Sequence, residues 1–440
     1  MSVIGQLASF VVGAKASGLP APDRERLKLH FADTVMAALA GAHSPEGKAL
    51  QSFGTQGALA DRIGRRAAAI RLTEIDDIHL PSCTTPSAGT VPVALALAAE
   101  AQKFDVEEMA SAVWTGTEVM ARIGLAVDGP KILYRGIWPT YLAAPVAAAA
   151  TAARMFGLDE VRTGHALSLA FMMLTGGVGR IHGAPSGRWF LYARSVAAGI
   201  AAAEAARAGY CGDPELLDRN SFSDTHAIAL DRDRLTNNLG TASVYSTLSF
   251  KPFCAAKQTI AAVEAFRGVF LEENIDADAI AKITVRVPPA LVAMISTHAE
   301  PGLRQSTMVS VAHQIALAAL QPKLLYDVDR SAPTIDPEVL RFAAKVEVAP
   351  EPALEAFYPR NWPADVELEA GGKRFRRRVT AAMGDPERPL GSVDIDDKAH
   401  RVLDSLIGAA RVHEWLTMSH GALSDGGECQ RLATAFADIG

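Results

Sequence analysis

Alanine- and leucine-rich stretches with apolar residues at helical spacing run through residues 1 to about 245, and they restrict this chain to a helix-dominated fold. The clearest stretches are 27–40, 91–102, 106–127, 143–156, 162–174 and 195–208. Gly41, Gly157 and Gly209 fall where helix stops are expected. Asp105 and Asp159 sit near helix starts, where a side-chain oxygen can cap free amides. The opening MSVIGQLASFVVGAK has no basic residue ahead of its apolar part, so it reads as an amphipathic helix and not as a signal peptide. Abundant alanine lets helices approach closely, which predicts a compact multi-helix bundle.

The pattern changes near Ser249. ITVRV at 283–287 alternates as a strand does, and 345–348 is a second candidate. Segments 364–370 and 373–379 flank Gly371-Gly372, a hairpin signal. Helical patterns at 255–271 and 306–320 lie between them, and the chain turns helical again from about Lys398. The expected fold class is therefore mainly α: a large all-helical domain from 1–248 with 399–440, plus a smaller α+β domain at 249–398.

Charge and cysteine usage exclude several function classes. The 440 residues carry a formal net charge of -6, which gives no electrostatic reason to expect nucleic acid or an anionic membrane surface as a partner. Arg374, Arg376, Arg377 and Arg378 read as a solvated strand face, not as a nucleic-acid patch. Cys83, Cys211, Cys254 and Cys429 lie far apart without metal-ligand spacing, so no structural zinc is expected, and few cysteines in a long chain fit a reducing cytoplasm. The longest uncharged runs, 136–153 and 166–179, fall short of the ~20 residues that span a bilayer. The first is interrupted by Pro139 and Pro145, the second ends in Thr-Gly-Gly-Val-Gly, and no membrane association is expected.

The chemistry concentrates at 74–92. Glu74, Asp76, Asp77 and His79 occupy six residues, and a Pro-punctuated loop with Cys83 and several hydroxyls follows before an apolar helix pattern. Such a segment suits a pocket in which a helix end and a loop present polar groups over an apolar floor.

Several segments together resemble the MmgE/PrpD family. They are LKLHFADTVMAALAG at 27–41, GTEVMARIGLAV at 116–127, YRGIWPTYLAAPVAAAATAARMFGLDE at 134–160, SFKPFCAAKQTIAAVEAF at 249–266 and GDPERPL at 384–390, in the family's order and spread over nearly the whole chain. The family includes 2-methylcitrate dehydratase, cis-aconitate decarboxylase and iminodisuccinate epimerase. The resemblance implies a helical domain built from both chain ends, an α+β lid domain, a homodimer and a polycarboxylate pocket between the domains. It also implies proton removal next to a carboxylate without metal or organic cofactor. By the same resemblance Glu74 stands where the decarboxylase-like pattern has Asp, and Ile78 where it has Thr. Its His-Pro-Ser turn falls on Thr85-Pro86-Ser87. Arg-Gly-Phe-His becomes Arg135-Gly136-Ile137-Trp138, a lysine becomes Arg188, and a later tyrosine becomes Val309. Lys251 keeps the lysine of the Lys-Pro-Phe element.

Removing an α-proton needs a base and cations that hold the adjacent carboxylate as charge develops. His79 is the base by residue type, with Asp76 and Asp77 placed to orient its ring. Tyr141 or Lys251 would supply a proton on the opposite face. Arg188 offers a forked donor pair to a carboxylate, with Arg135 and Arg180 as helpers and Glu74, Asp77, Thr85 and Trp138 around the substrate. Gly176, Gly177 and Gly179 suggest a backbone that approaches a ligand closely. Plainer readings stand beside these: His79 as a satisfied loop histidine, Asp76 and Asp77 as caps, Tyr141 as packing, Cys83 as a small core residue.

These residues lead to a lyase or isomerase acting on a small di- or tricarboxylate, with replacement of both family histidines favouring the epimerase side. The alternatives are a dehydratase- or decarboxylase-like lyase with a relocated base, and a non-catalytic carboxylate-binding protein.

Overall fold

The structure is a computed structural model that describes residues 1–52, 57–101, 105–174, 187–330 and 334–439. The chain is mainly α and divides into two compact units, Met1–Leu248 with Leu403–Gly440, and Ser249–Val402. Among the described residues no helix is long and apolar enough to cross a membrane.

The first unit is built around the helix Pro139–Met155, buried at every position from Pro139 to Arg154. It packs against Val106–Ala126 and Gly187–Arg207, and the latter packs in turn on Leu59–Leu72. Glycine makes this closeness possible. A Cβ on Gly199 would stand 2.0 Å from the Pro145 carbonyl oxygen, and one on Gly64 would stand 2.2 Å from that of Ala193. Backbone therefore rests on backbone along both sides of Gly187–Arg207.

Several sequence expectations change here. Pro145, which interrupts the uncharged run 136–153, lies inside the helix Pro139–Met155, and Pro92 lies inside Ser87–Glu100. An internal proline costs about 3 kcal/mol, and complete burial of the surrounding helix outweighs it. Gly41 does not stop its helix, which runs Ala21–His43; a Cβ there would lie 1.9 Å from the Ala69 carbonyl oxygen, so its role is close packing. Gly157 and Gly209 do follow helix ends with positive φ of 65° and 98°. Asp105 and Asp159 cap as expected, accepting from the Glu107 amide at 2.9 Å and the Arg162 amide at 2.8 Å.

The second unit carries a four-stranded sheet in the order Val346–Pro350, Ile280–Val287, Ala364–Ala370, Lys373–Val379. The first pair is parallel and the others antiparallel. Ala370 pairs with Lys373 across Gly371 and Gly372, whose φ of 56° and 74° are those of a two-residue hairpin turn. The arginines of the last strand are matched by carboxylates: Arg376 and Arg378 both bond Asp365, Arg374 lies 3.2 Å from Glu369, and Arg377 bonds Glu272. The helical pattern at 306–320 is two helices, Arg304–Val309 and Val311–Leu320, because Ser310 leaves the helix to cap the second through the His313 amide.

Candidate active site

The helix Leu59–Leu72 ends at Thr73, and the next residue, Glu74, takes φ 55°. That position after a helix is one where glycine is usual, and a side chain there costs about 1–2 kcal/mol. Strain of this kind concentrates where geometry serves function. Arg71, one turn back, grips Asp76 with Nη1 at 2.6 and 2.7 Å from the two carboxylate oxygens, and its Nη2 is 3.6 Å from Glu74. Burial works against the Arg71 charge, but Asp76 and Glu74 outweigh it and raise its pKa.

Asp77 turns the other way. It accepts from the Ser87 amide at 3.3 Å and from the Ser87 hydroxyl, and it lies 3.4 Å from His30 Nδ1. It thereby fastens the start of Ser87–Glu100. His79 is held on both ring nitrogens by hydroxyls, Nδ1 by Ser82 at 2.8 Å and Nε2 by Thr247 at 3.1 Å. Neither Asp76 nor Asp77 orients the ring, because each carboxylate is committed to another partner. Burial lowers the His79 pKa to about 4, with Asp77 pulling the other way, so the imidazole is neutral at neutral pH.

Over this segment lies an aromatic layer. Trp138 stacks on Tyr141 at 5.7 Å between ring centroids, and Tyr141 meets Tyr192 at 5.2 Å. Arg188 lies over Trp189 at 4.2 Å and Trp138 at 5.0 Å, and its Nη2 is 3.7 Å from Glu74. Cation–π contact thus presents the guanidinium beside the strained glutamate. Tyr141 and Tyr192 are fully buried, and neither hydroxyl has a hydrogen-bond partner among the described residues. Burial raises the pKa of Tyr141 against the pull of Arg188 and Arg71, and pushes that of Tyr192 well above its ordinary value against Arg71. Both are protonated donors at neutral pH, in a place where an unsatisfied hydroxyl is costly.

The sequence-derived residues divide as follows. Glu74, Tyr141, Trp138 and Arg188 come together. Asp77 and Thr85 shape the loop, Thr85 through the Thr140 hydroxyl at 3.2 Å from its amide. Arg135 is exposed and donates to the Ala227 carbonyl at 3.0 Å. Arg180 and the glycines at 176, 177 and 179 lie outside the described residues. Lys251 belongs to the second unit, where it is 1% exposed. Its loop is fixed by the Phe250 amide on the Gly384 carbonyl at 2.8 Å and by a buried Lys257–Asp385 ion pair at 2.5 Å. The SFKPFCAAKQ and GDPERPL segments are thus two halves of one local structure.

Sequence reasoning missed Arg71, Tyr192 and Trp189. A signal existed for one of them: Tyr192 lies four residues after Arg188, hence on the same face of a helix.

Comparison with known proteins identifies the family. Residues 65–242 match the MmgE/PrpD N-terminal domain and 253–420 match the MmgE/PrpD C-terminal domain. The cis-aconitate decarboxylase-like protein oryM of Aspergillus oryzae is 28% identical over 241 residues, 50% of this chain and 50% of that protein. The chain spans about half the length of this curated relative. With both domain models matched in order, the chain belongs to the MmgE/PrpD family.

Proposed function

We propose that this chain is a lyase or isomerase that moves a proton at a carbon next to a carboxylate of a small polycarboxylate. One observation carries the reading: in the first unit Glu74 and Arg188 lie beside Tyr141, whose ring meets Tyr192, and both tyrosine hydroxyls are buried with no hydrogen-bond partner among the described residues. Arg188 would take the substrate carboxylate through its forked donors. Tyr141 and Tyr192 would donate to the oxygen on which charge gathers as the proton leaves. Glu74 is the base this geometry favours. A substrate carboxylate competes with it for Arg188, and losing part of that cation raises its basicity when substrate is bound. His79 then acts by fixing the loop, since its ring nitrogens are already engaged. Lys251 stays in the reading as a proton donor, and the division into a helical part and an α+β part, a homodimer and independence from cofactors belong to it as expectations from the family resemblance.

The test is a panel of di- and tricarboxylic acids in deuterium oxide. Exchange at an α-carbon that Glu74→Gln and Arg188→Ala both abolish is the expected result. Exchange that survives both substitutions would overturn the assignment. The name of the Aspergillus relative supports decarboxylation of cis-aconitate as a second reading, and release of carbon dioxide from that acid would decide for it.

A further inference from the structure

The second unit contains a cavity of about 210 Å³ between Val311–Leu320 and Pro337–Ala343. Arg330 and His313 both line it. Arg330 is clamped: Nε donates to the Leu324 carbonyl, and Nη2 to those of Cys254 and Leu325, each at 3.0 Å. Its remaining nitrogen, Nη1, is buried with no hydrogen-bond partner among the described residues, and so is Nδ1 of His313, a residue only 5% exposed. Burial lowers the Arg330 pKa to about 10 and that of His313 to about 4, so the arginine is charged and the imidazole neutral at neutral pH. A clamped cation and a neutral ring that can present N–H both want an acceptor, and neither can swing to solvent without breaking other bonds.

Size and lining choose the acceptor. The cavity is smaller than sites for drug-sized ligands. Leu317 and Val339, both buried, give it an apolar wall. Glu300, Asp327 and Asp336 also line it, so a second negative charge on the ligand would meet like charge. We propose that this cavity is a binding site for a short-chain aliphatic monocarboxylate, its carboxylate on Arg330 Nη1 and His313 Nδ1 and its alkyl tail against Leu317 and Val339. The proposal does not rest on the function proposed for the Glu74–Arg188 cluster.

The experiment is titration calorimetry of the full chain with butyrate, succinate and inorganic phosphate. Saturable one-to-one binding of butyrate is expected, at least tenfold tighter than either dianion. It should persist in Arg188→Ala and weaken at least tenfold in Leu317→Trp, which fills the cavity. His313→Asn, a smaller change that keeps the fold testable, should weaken it severalfold, with circular dichroism confirming that each variant is folded. Absence of saturable butyrate binding, binding unchanged by both cavity variants, or succinate or phosphate binding as tightly as butyrate would each overturn the proposal.

Discussion

Replacing Tyr192 by phenylalanine removes one oxygen and leaves the ring that packs 5.2 Å from Tyr141. The hydroxyl is fully buried and lacks a partner among the described residues, so folding desolvates it without return. An unsatisfied buried hydroxyl costs about 1–3 kcal/mol, and Tyr192→Phe is therefore expected to raise stability by about 1 kcal/mol after allowance for the one-atom void left behind. Turnover should move the opposite way. Loss of one donor to a developing oxyanion typically lowers kcat about 10²–10³-fold. Tyr141→Phe should behave alike, and the double variant should fall short of the product of the two rate effects because the rings touch. Urea unfolding followed by circular dichroism, with unchanged denaturant slope, measures the first quantity, and deuterium exchange into the substrate measures the second. A stability loss above about 1 kcal/mol would mean that the hydroxyl is already satisfied. Full turnover in both single variants would remove the tyrosines from the chemistry.

Glu74→Gly should relieve the φ of 55° and hold or raise stability by about 1 kcal/mol while abolishing exchange; Glu74→Gln should abolish exchange and keep the strain, as unfolding and activity assays on the pair would show. The buried neutral His79 gives a pH slope: its folded pKa of about 4 lies below the ordinary 6.5, so the unfolded chain binds the extra proton and stability present above pH 6.5 drains as pH falls toward 4. About 2 kcal/mol should disappear between pH 7 and pH 5, and His79→Gln should flatten the urea-midpoint profile by that share. At Asp365, burial opposes the charge but hydrogen bonds from Arg376 and Arg378 outweigh it and hold the carboxyl below its usual range. Its contribution is complete above pH 3.8 and fades below, so Asp365→Asn should cost about 1–3 kcal/mol at pH 7 and progressively less in acid. Gly199→Ala would press a methyl to 2.0 Å from the Pro145 carbonyl and should cost about 2 kcal/mol or more by thermal unfolding.

What could be read from the sequence was whatever is encoded locally. The hairpin at Gly371-Gly372 and the caps at Asp105 and Asp159 depend on residues a few positions apart, and strands Ala364–Ala370 and Lys373–Val379 match their expected limits. The helix Leu59–Leu72 escaped because its stop is a glutamate in a glycine's conformation and its polar face is dense with arginine. Pro92 and Pro145 did not hide their helices, because the apolar pattern around them continues through both and those helices are buried. In the site, Glu74 and Arg188 were legible by type and by resemblance. The Thr247 partner of His79 was not, since it is 168 positions away and nothing local predicts a hydroxyl there.

The contacts that flank Gly187–Arg207 bear on how such a scaffold acquires new substrates. Arg188 and Tyr192 ride on a rod whose seating is set by missing side chains at Gly64, on the neighbouring helix Leu59–Leu72, and at Gly199, about two to three turns further along the rod itself. Nothing about that seating depends on which groups the rod displays. Exchange of displayed residues such as Arg188 and Tyr192 therefore leaves the backbone contacts at Gly64 and Gly199 in place.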